Sequence, residues 1–276
     1  MEINDLFKQS HADTGERKII LPVIENLYAK PLVYALKHNL LAHNFLLREF
    51  NAELCTEKLV QGESELALIP SIGYSRGKGS WKIIPDIAVS CTGPAGIPAL
   101  FFNRDLRKIR KIAFNEDSLT CVALLKIILS ERYELEPEYI SLSAGLDQML
   151  KEADAALVCK DEGLAYMKDY PAYIDLGEEW HDMTGLPFVF AFWAGHELSL
   201  TSAEVEIIKE SCRLGKNKID DICREQKAER SACKSYLSEH ITSTFDKMER
   251  EGLKEFYRYA FYYGLIEHIP ELHFFE

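Results

Sequence analysis

The sequence predicts an α/β protein of two lobes with a helical C-terminus, and three observations carry that expectation. Short apolar runs alternate with amphipathic stretches over most of the chain, the pattern of strands layered with helices. Gly and Pro concentrate at 93–96 and again at 185–187, where the chain would cross between lobes. From Thr201 onward nearly every segment has helical spacing.

Residues 18–23 read as a buried strand, followed after a loop by a helix that opens near Pro31, where proline is tolerated in the first turn. Residues 45–50 form a second strand, 52–59 a helix closed at Gly62, and 65–70 a third strand ending at Pro70. Segments 87–91 and 98–102 are strands around a Gly/Pro turn. A second block starts with a strand at 111–114 and an amphipathic helix capped by Asp117 and Ser118 and running to about Arg132. A short strand from Ile140, a helix over 145–152 and a strand at 155–158 follow. The most hydrophobic strand, 186–193, leads back. Three helices are expected at about 201–225, 229–239 and 245–266, the first with Val205, Ile208 and Cys212 on one face. This order gives a discontinuous first lobe (17–95 plus 189–276), a second lobe (96–188) and a loose polar tail (1–16). Two crossings between lobes make a hinge-closing architecture with its ligand in the cleft.

Composition narrows the function classes. The net charge of −12 leaves no basic face for nucleic acid, and the run 104–111 reads as a solvated surface turn. No apolar stretch approaches the roughly 20 residues of a membrane span, and the N-terminus lacks a secretory signal. Cytoplasmic residence is therefore expected. The seven cysteines contain no Cys-x-x-Cys pair and read as separate reduced thiols rather than a disulfide framework. The eight histidines include no His-x-x-x-His, and no nucleotide-binding or nucleophile-elbow motif occurs. No metal or cofactor is expected.

Three strand-to-helix transitions offer anion-binding groups where ligands bind in open α/β sheets. One carries Ser118 and Thr120, the second Lys160 and Asp161, and the third Ser71. Their convergence predicts a cleft for a small carboxylate.

Several segments carry a resemblance. The run 173–194, which contains Trp180, Thr184 and the stretch Gly185-Leu186-Pro187-Phe188-Val189-Phe190, resembles a signature of the chorismate dehydratases of the futalosine route to menaquinone. The helix start at Pro31-Leu32, the segment 62–71 ending in Ile69-Pro70-Ser71, the helix start Ser118-Leu119-Thr120-Cys121 and the segment 154–161 are similar to that family as well. The resemblance spans about residues 17–276. It implies a type II periplasmic-binding-protein fold, binding of chorismate, and its dehydration to 3-enolpyruvylbenzoate without a cofactor. By the same resemblance Ser71, Thr92, Gly93, Ser118 and Thr120 would bind the substrate carboxylates, Asp161 would position the site, and Pro187 and Phe188 would pack beside the ring; Lys160, from its place at a helix start, would offer a charge to a carboxylate.

The departures fall at strand ends. Tyr28 stands where the family has an asparagine implied in catalysis, with Asn26 two residues earlier. The family's Ser-x-Gly-x-x-x-Ser segment becomes 91–98, with Thr92 and Gly93 but neither serine, and Lys160 replaces a glycine. Asn26, Tyr28 and Thr92 are therefore the candidate catalytic residues. Two readings stand on the sequence: a dehydratase that tolerates these changes, or a non-catalytic binding or sensory homologue for a small aromatic or enolpyruvyl carboxylate. The partner in both is a small carboxylate, and the oligomeric state is open.

Overall fold

The computed structural model describes residues 18–115, 119–170, 172–226 and 229–276; the expected tail 1–16 and Ser118 lie outside them. One lobe is built on β1 (Ile19–Ile24), β2 (Phe45–Phe50), β3 (Leu66–Pro70), β4 (Trp81–Cys91) and β10 (Phe188–His196). β1 pairs in parallel with β2, from Ile19 opposite Phe45 to Ile24 opposite Phe50. β10 runs antiparallel between β3 and β4. The apolar runs of β1, β3 and β10 are covered on both faces, which is why they lack polar alternation. The other lobe holds a five-stranded sheet in the order β7-β6-β8-β5-β9. Its strands are β5 (Ala99–Phe102), β6 (Lys111–Phe114), β7 (Glu138–Ser141), β8 (Ala155–Val158) and β9 (Tyr173–Asp175).

The helices before β10 are α1 (Lys30–Lys37), α2 (Ala52–Val60), α3 (Leu119–Tyr133), α4 (Leu146–Glu152), α5 (Gly163–Asp169) and α6 (Leu176–Thr184). After β10 come α7 (Ser202–Lys216), α8 (Ile219–Glu225), α9 (Arg230–Ser235) and α10 (Lys247–Tyr262). Several starts are set locally by side-chain caps. The Asn51 side chain caps α2 by accepting from Leu54 N at 2.8 Å, and Thr201 with Glu204 and Asp246 with Glu249 form capping boxes for α7 and α10. Helix α7 lies so close on α1 that a Cβ at Gly215 would sit 1.8 Å from the Pro31 carbonyl oxygen.

Several expectations are corrected. The helix expected over 201–225 breaks at 217–218 into α7 and α8, just past Gly215, a poor helix former packed on α1. The segment 229–239 is the short α9 followed by a wide turn, Tyr236–His240. α3 is not amphipathic: Val122, Ala123, Leu124, Leu125, Ile127, Ile128 and Leu129 are all buried, because α6 and α10 also pack on it. The cysteines are not all separate thiols. α8 and α9 bring Cys223 and Cys233 to a Cα–Cα distance of 5.7 Å, and the two are joined in a disulfide.

The crossing from β4 to β5 is fixed by a buried carboxylate. Asp175 caps α6 and accepts from the backbone N–H groups of Ala95 at 2.9 Å, Gly96 at 2.6 Å and Gly177 at 2.8 Å. Burial pushes its carboxyl up, and these N–H groups oppose that rise by favouring the ionised form.

Candidate active site between the lobes

Strand ends and helix starts from both lobes enclose a cavity of about 320 Å³. That is the size of a site for one small molecule. The first lobe contributes Asn26 and Tyr28 after β1, Asn51 before α2, Pro70 at the end of β3, and Phe190. The second contributes Thr120 and Cys121 in the first turn of α3, Cys159 and Lys160 just after β8, and Ile97 and Pro98 before β5. This is the position beyond the carboxyl ends of strands where open α/β folds bind ligands.

Two hydrogen bonds join the lobes beside this cavity. Leu27 N, between Asn26 and Tyr28, donates to both carboxylate oxygens of Asp161 at 3.0 Å. Ile72 N donates to Thr120 Oγ1 at 3.2 Å, which leaves the threonine proton to be donated elsewhere. Each bond takes its N–H from the first lobe and its acceptor from a helix start of the second.

The electrostatics distinguish this cavity from its neighbour. Lys160 and Glu25 are the charged residues on its wall. The Tyr28 hydroxyl is pushed far above its ordinary value by burial, with Asn26 reaching it in opposition, so it stays protonated and neutral. Burial also raises the Asp161 carboxyl, against the Leu27 N–H and the nearby Lys30 charge. A second cleft of about 840 Å³ is lined by Glu25, Asp161, Glu162, Asp169, Glu225 and Glu229 against Lys168. Such a surface repels a carboxylate.

The predicted site residues divide. Asn26, Tyr28, Thr120 and Lys160 line the cavity, and Asp161 stands behind them on Leu27 N. Ser71 is fully buried; its hydroxyl donates to the Val189 carbonyl, and its own carbonyl accepts from Tyr257 Oη at 2.7 Å. Thr92 is exposed past β4, and Gly93 (φ 85°) shapes the same loop, from which Ile97 and Pro98 reach the cavity instead. The Pro187 carbonyl accepts from Trp180 Nε1 at 3.2 Å, and Phe188 packs on Trp180 and Phe256, at 5.5 and 5.1 Å between ring centroids.

Phe190, absent from the sequence-based set, lines the cavity, whereas Phe188 does not. In the pairing with β4, Val189 lies opposite Ser90 and Ala191 opposite Val89, so Phe190 is the extra residue of a bulge. A bulge re-aims one side chain without leaving a mark in the alternation of residue types. Cys121 and Cys159 were also missed, although each adjoins a predicted residue. Tyr236 is a further buried neighbour: its hydroxyl has no hydrogen-bond partner among the described residues, and burial and the nearby Asp161 push it up.

Comparison with known proteins decides the family. A family model for menaquinone biosynthesis matches residues 23–262. A chorismate dehydratase of Thermus thermophilus is 30% identical over 245 residues, covering 81% of this chain and 90% of the relative. The chain belongs to the chorismate dehydratase family of menaquinone biosynthesis. Solved structures carry the same fold. A protein of Archaeoglobus fulgidus superposes with a TM-score of 0.74 at 17% identity, over 92% of this chain and 100% of the other. The periplasmic aliphatic sulphonate binding protein of Escherichia coli does so with a TM-score of 0.67 at 13% identity, over 93% and 96%. The two-lobed periplasmic-binding-protein architecture expected from sequence is thus the fold of this family member. Among the described residues no helix is long and apolar enough to cross a membrane.

Proposed function

We propose that this protein is a lyase of the futalosine route, removing water from chorismate to give 3-enolpyruvylbenzoate in the cytoplasm. The observation that carries the reading is a cavity between the lobes lined by the neutral Tyr28 together with Thr120 and Lys160, in a chain of this family. Dehydration takes a proton and a hydroxyl group from the ring of chorismate and leaves the ring aromatic. The neutral Tyr28 phenol donates a hydrogen bond to the departing hydroxyl, with Asn26 orienting it. Glu25, the only carboxylate on the cavity wall among the described residues, takes the ring proton and passes it to the departing hydroxyl, which leaves as water. Lys160 and the Thr120 hydroxyl at the α3 N-terminus hold the substrate carboxylates, aided by the helix dipole. Phe190 and Pro98 bound the ring, which places the reacting atoms against the donor.

We also infer the lobe division 17–95 with 189–276 against 96–188; the separation of β5–β9 from the remaining strands supports it. The test is incubation of the purified protein with chorismate, with product followed by chromatography and ligand-induced melting shifts recorded in parallel. The reading requires 3-enolpyruvylbenzoate above the no-enzyme control. A melting shift without product would instead identify a binding homologue.

A further inference from the structure

The wall of the cavity carries two thiols that the dehydration does not use. β6 and β8 are parallel neighbours, with Phe114 opposite Leu157, and each hands over to a loop and helix at its carboxyl end. Cys121 sits in the first turn of α3 and Cys159 is the first residue past β8, so the topology delivers both to one side of the cavity. Both are free thiols, and both are half-buried, unlike the fully buried Cys55, Cys91 and Cys212. They share that wall as neighbours, and the nearness of Cys159 together with burial pushes the Cys121 thiol well up.

We propose that Cys121 and Cys159 form a dithiol modification site that a hydroperoxide oxidises reversibly to a disulfide across the cavity wall. The Cys159 sulfur attacks one peroxide oxygen; the O–O bond breaks, and the displaced oxygen leaves as water, or as an alcohol from an alkyl hydroperoxide, with the thiol proton. The resulting sulfenic acid is attacked by the Cys121 sulfur. The S–S bond forms as the S–O bond breaks, and hydroxide departs with the second proton as water. Two electrons pass from the thiols to the peroxide, and a thiol reductant returns them. The bond draws the start of α3, with Thr120, toward the loop that carries Lys160, and so reshapes the site between them. This consequence for the ligand rests on the chorismate reading; the pairing itself does not.

The experiment treats the full-length protein with a small excess of hydrogen peroxide, alkylates the remaining thiols and reads the digested peptides by mass spectrometry. A cross-linked peptide containing Cys121 and Cys159 is expected, two hydrogens lighter than its reduced parts. Chorismate affinity is expected to fall at least tenfold and to return on reduction. The same response is expected when Cys223 and Cys233 are both replaced by serine, which separates it from the existing disulfide. Cys121→Ser, Cys159→Ser and the corresponding alanine variants are expected to give no cross-linked peptide, with Cys159 one oxygen heavier in the Cys121 variants. Both thiols fully alkylated after peroxide would overturn the proposal, as would a cross-link that leaves affinity unchanged. Reduced protein that neither binds nor converts chorismate would remove the functional reading, while the mass spectrum still decides the pairing.

Discussion

Two stretches of this chain behave in opposite ways. The run from β9 through α6 into β10 carries the most recognisable sequence, and the structure spends nearly all of it on framework. Asp175 ties down a loop, Trp180 anchors to a carbonyl, and Phe188 fills an aromatic cluster with Phe256. The strand ends at Tyr28, 91–98 and Lys160 are where the sequence departs from its family pattern, and Tyr28, Ile97, Pro98 and Lys160 line the cavity between the two lobes. Framework constrains many neighbours at once, so its residue types are tightly specified. A cavity wall answers mainly to its ligand, and can change while the fold persists.

That contrast can be broken by mutation. The largest expected effect is on the framework side: Phe188→Ala should cost about 3–5 kcal/mol in a denaturant titration, the usual range for truncating a buried aromatic. Chorismate affinity of the molecules that remain folded should hardly move. On the cavity side, Glu25→Gln should lower kcat about 100-fold through loss of a general base. Because Glu25 is exposed, its melting temperature should stay that of the parent. Equal losses of stability in both variants would erase the distinction.

Asp161 sits on the boundary between the two regions. Asp161→Ala removes the acceptor for Leu27 N and frees the segment that presents Asn26 and Tyr28. A hydrogen bond to a charged group is worth about 1.5–3 kcal/mol, so ligand affinity should fall about 10- to 100-fold. A pH series sharpens the point. Its folded carboxyl is raised by burial and holds its proton more tightly than the unfolded chain does. Stability from this group is therefore greatest below the ordinary carboxylate range and declines as pH rises through the raised value. Asp161→Asn should flatten that decline in melting temperature. The smallest effect is expected at Tyr236→Phe. Deleting a buried hydroxyl without a protein partner should leave stability unchanged or raise it by up to about 1 kcal/mol.

Much of the architecture was legible because strand and helix periods and the Gly/Pro crossings are local properties. Four of the predicted residues line the cavity: Thr120 and Lys160 were singled out because helix starts after strands announce anion-binding groups, and Asn26 and Tyr28 because they stand at or near the family's asparagine. What the sequence did not reveal is non-local. Ser71 looked like a ligand group until its hydroxyl met the Val189 carbonyl, 118 residues away. Phe190, and not Phe188, lines the cavity through a bulge that depends on the register with β4. The disulfide depends on how α8 and α9 are placed, and an odd number of cysteines concealed it.

The most direct test of the account is a crystal structure of the Glu25→Gln variant grown with chorismate. The account predicts chorismate or its product in the cavity between the lobes, with a ring oxygen on the Tyr28 hydroxyl and a carboxylate at Thr120 and Lys160. A ligand seated in the acidic cleft beside Asp169 and Glu229, with the cavity unaltered, would contradict it.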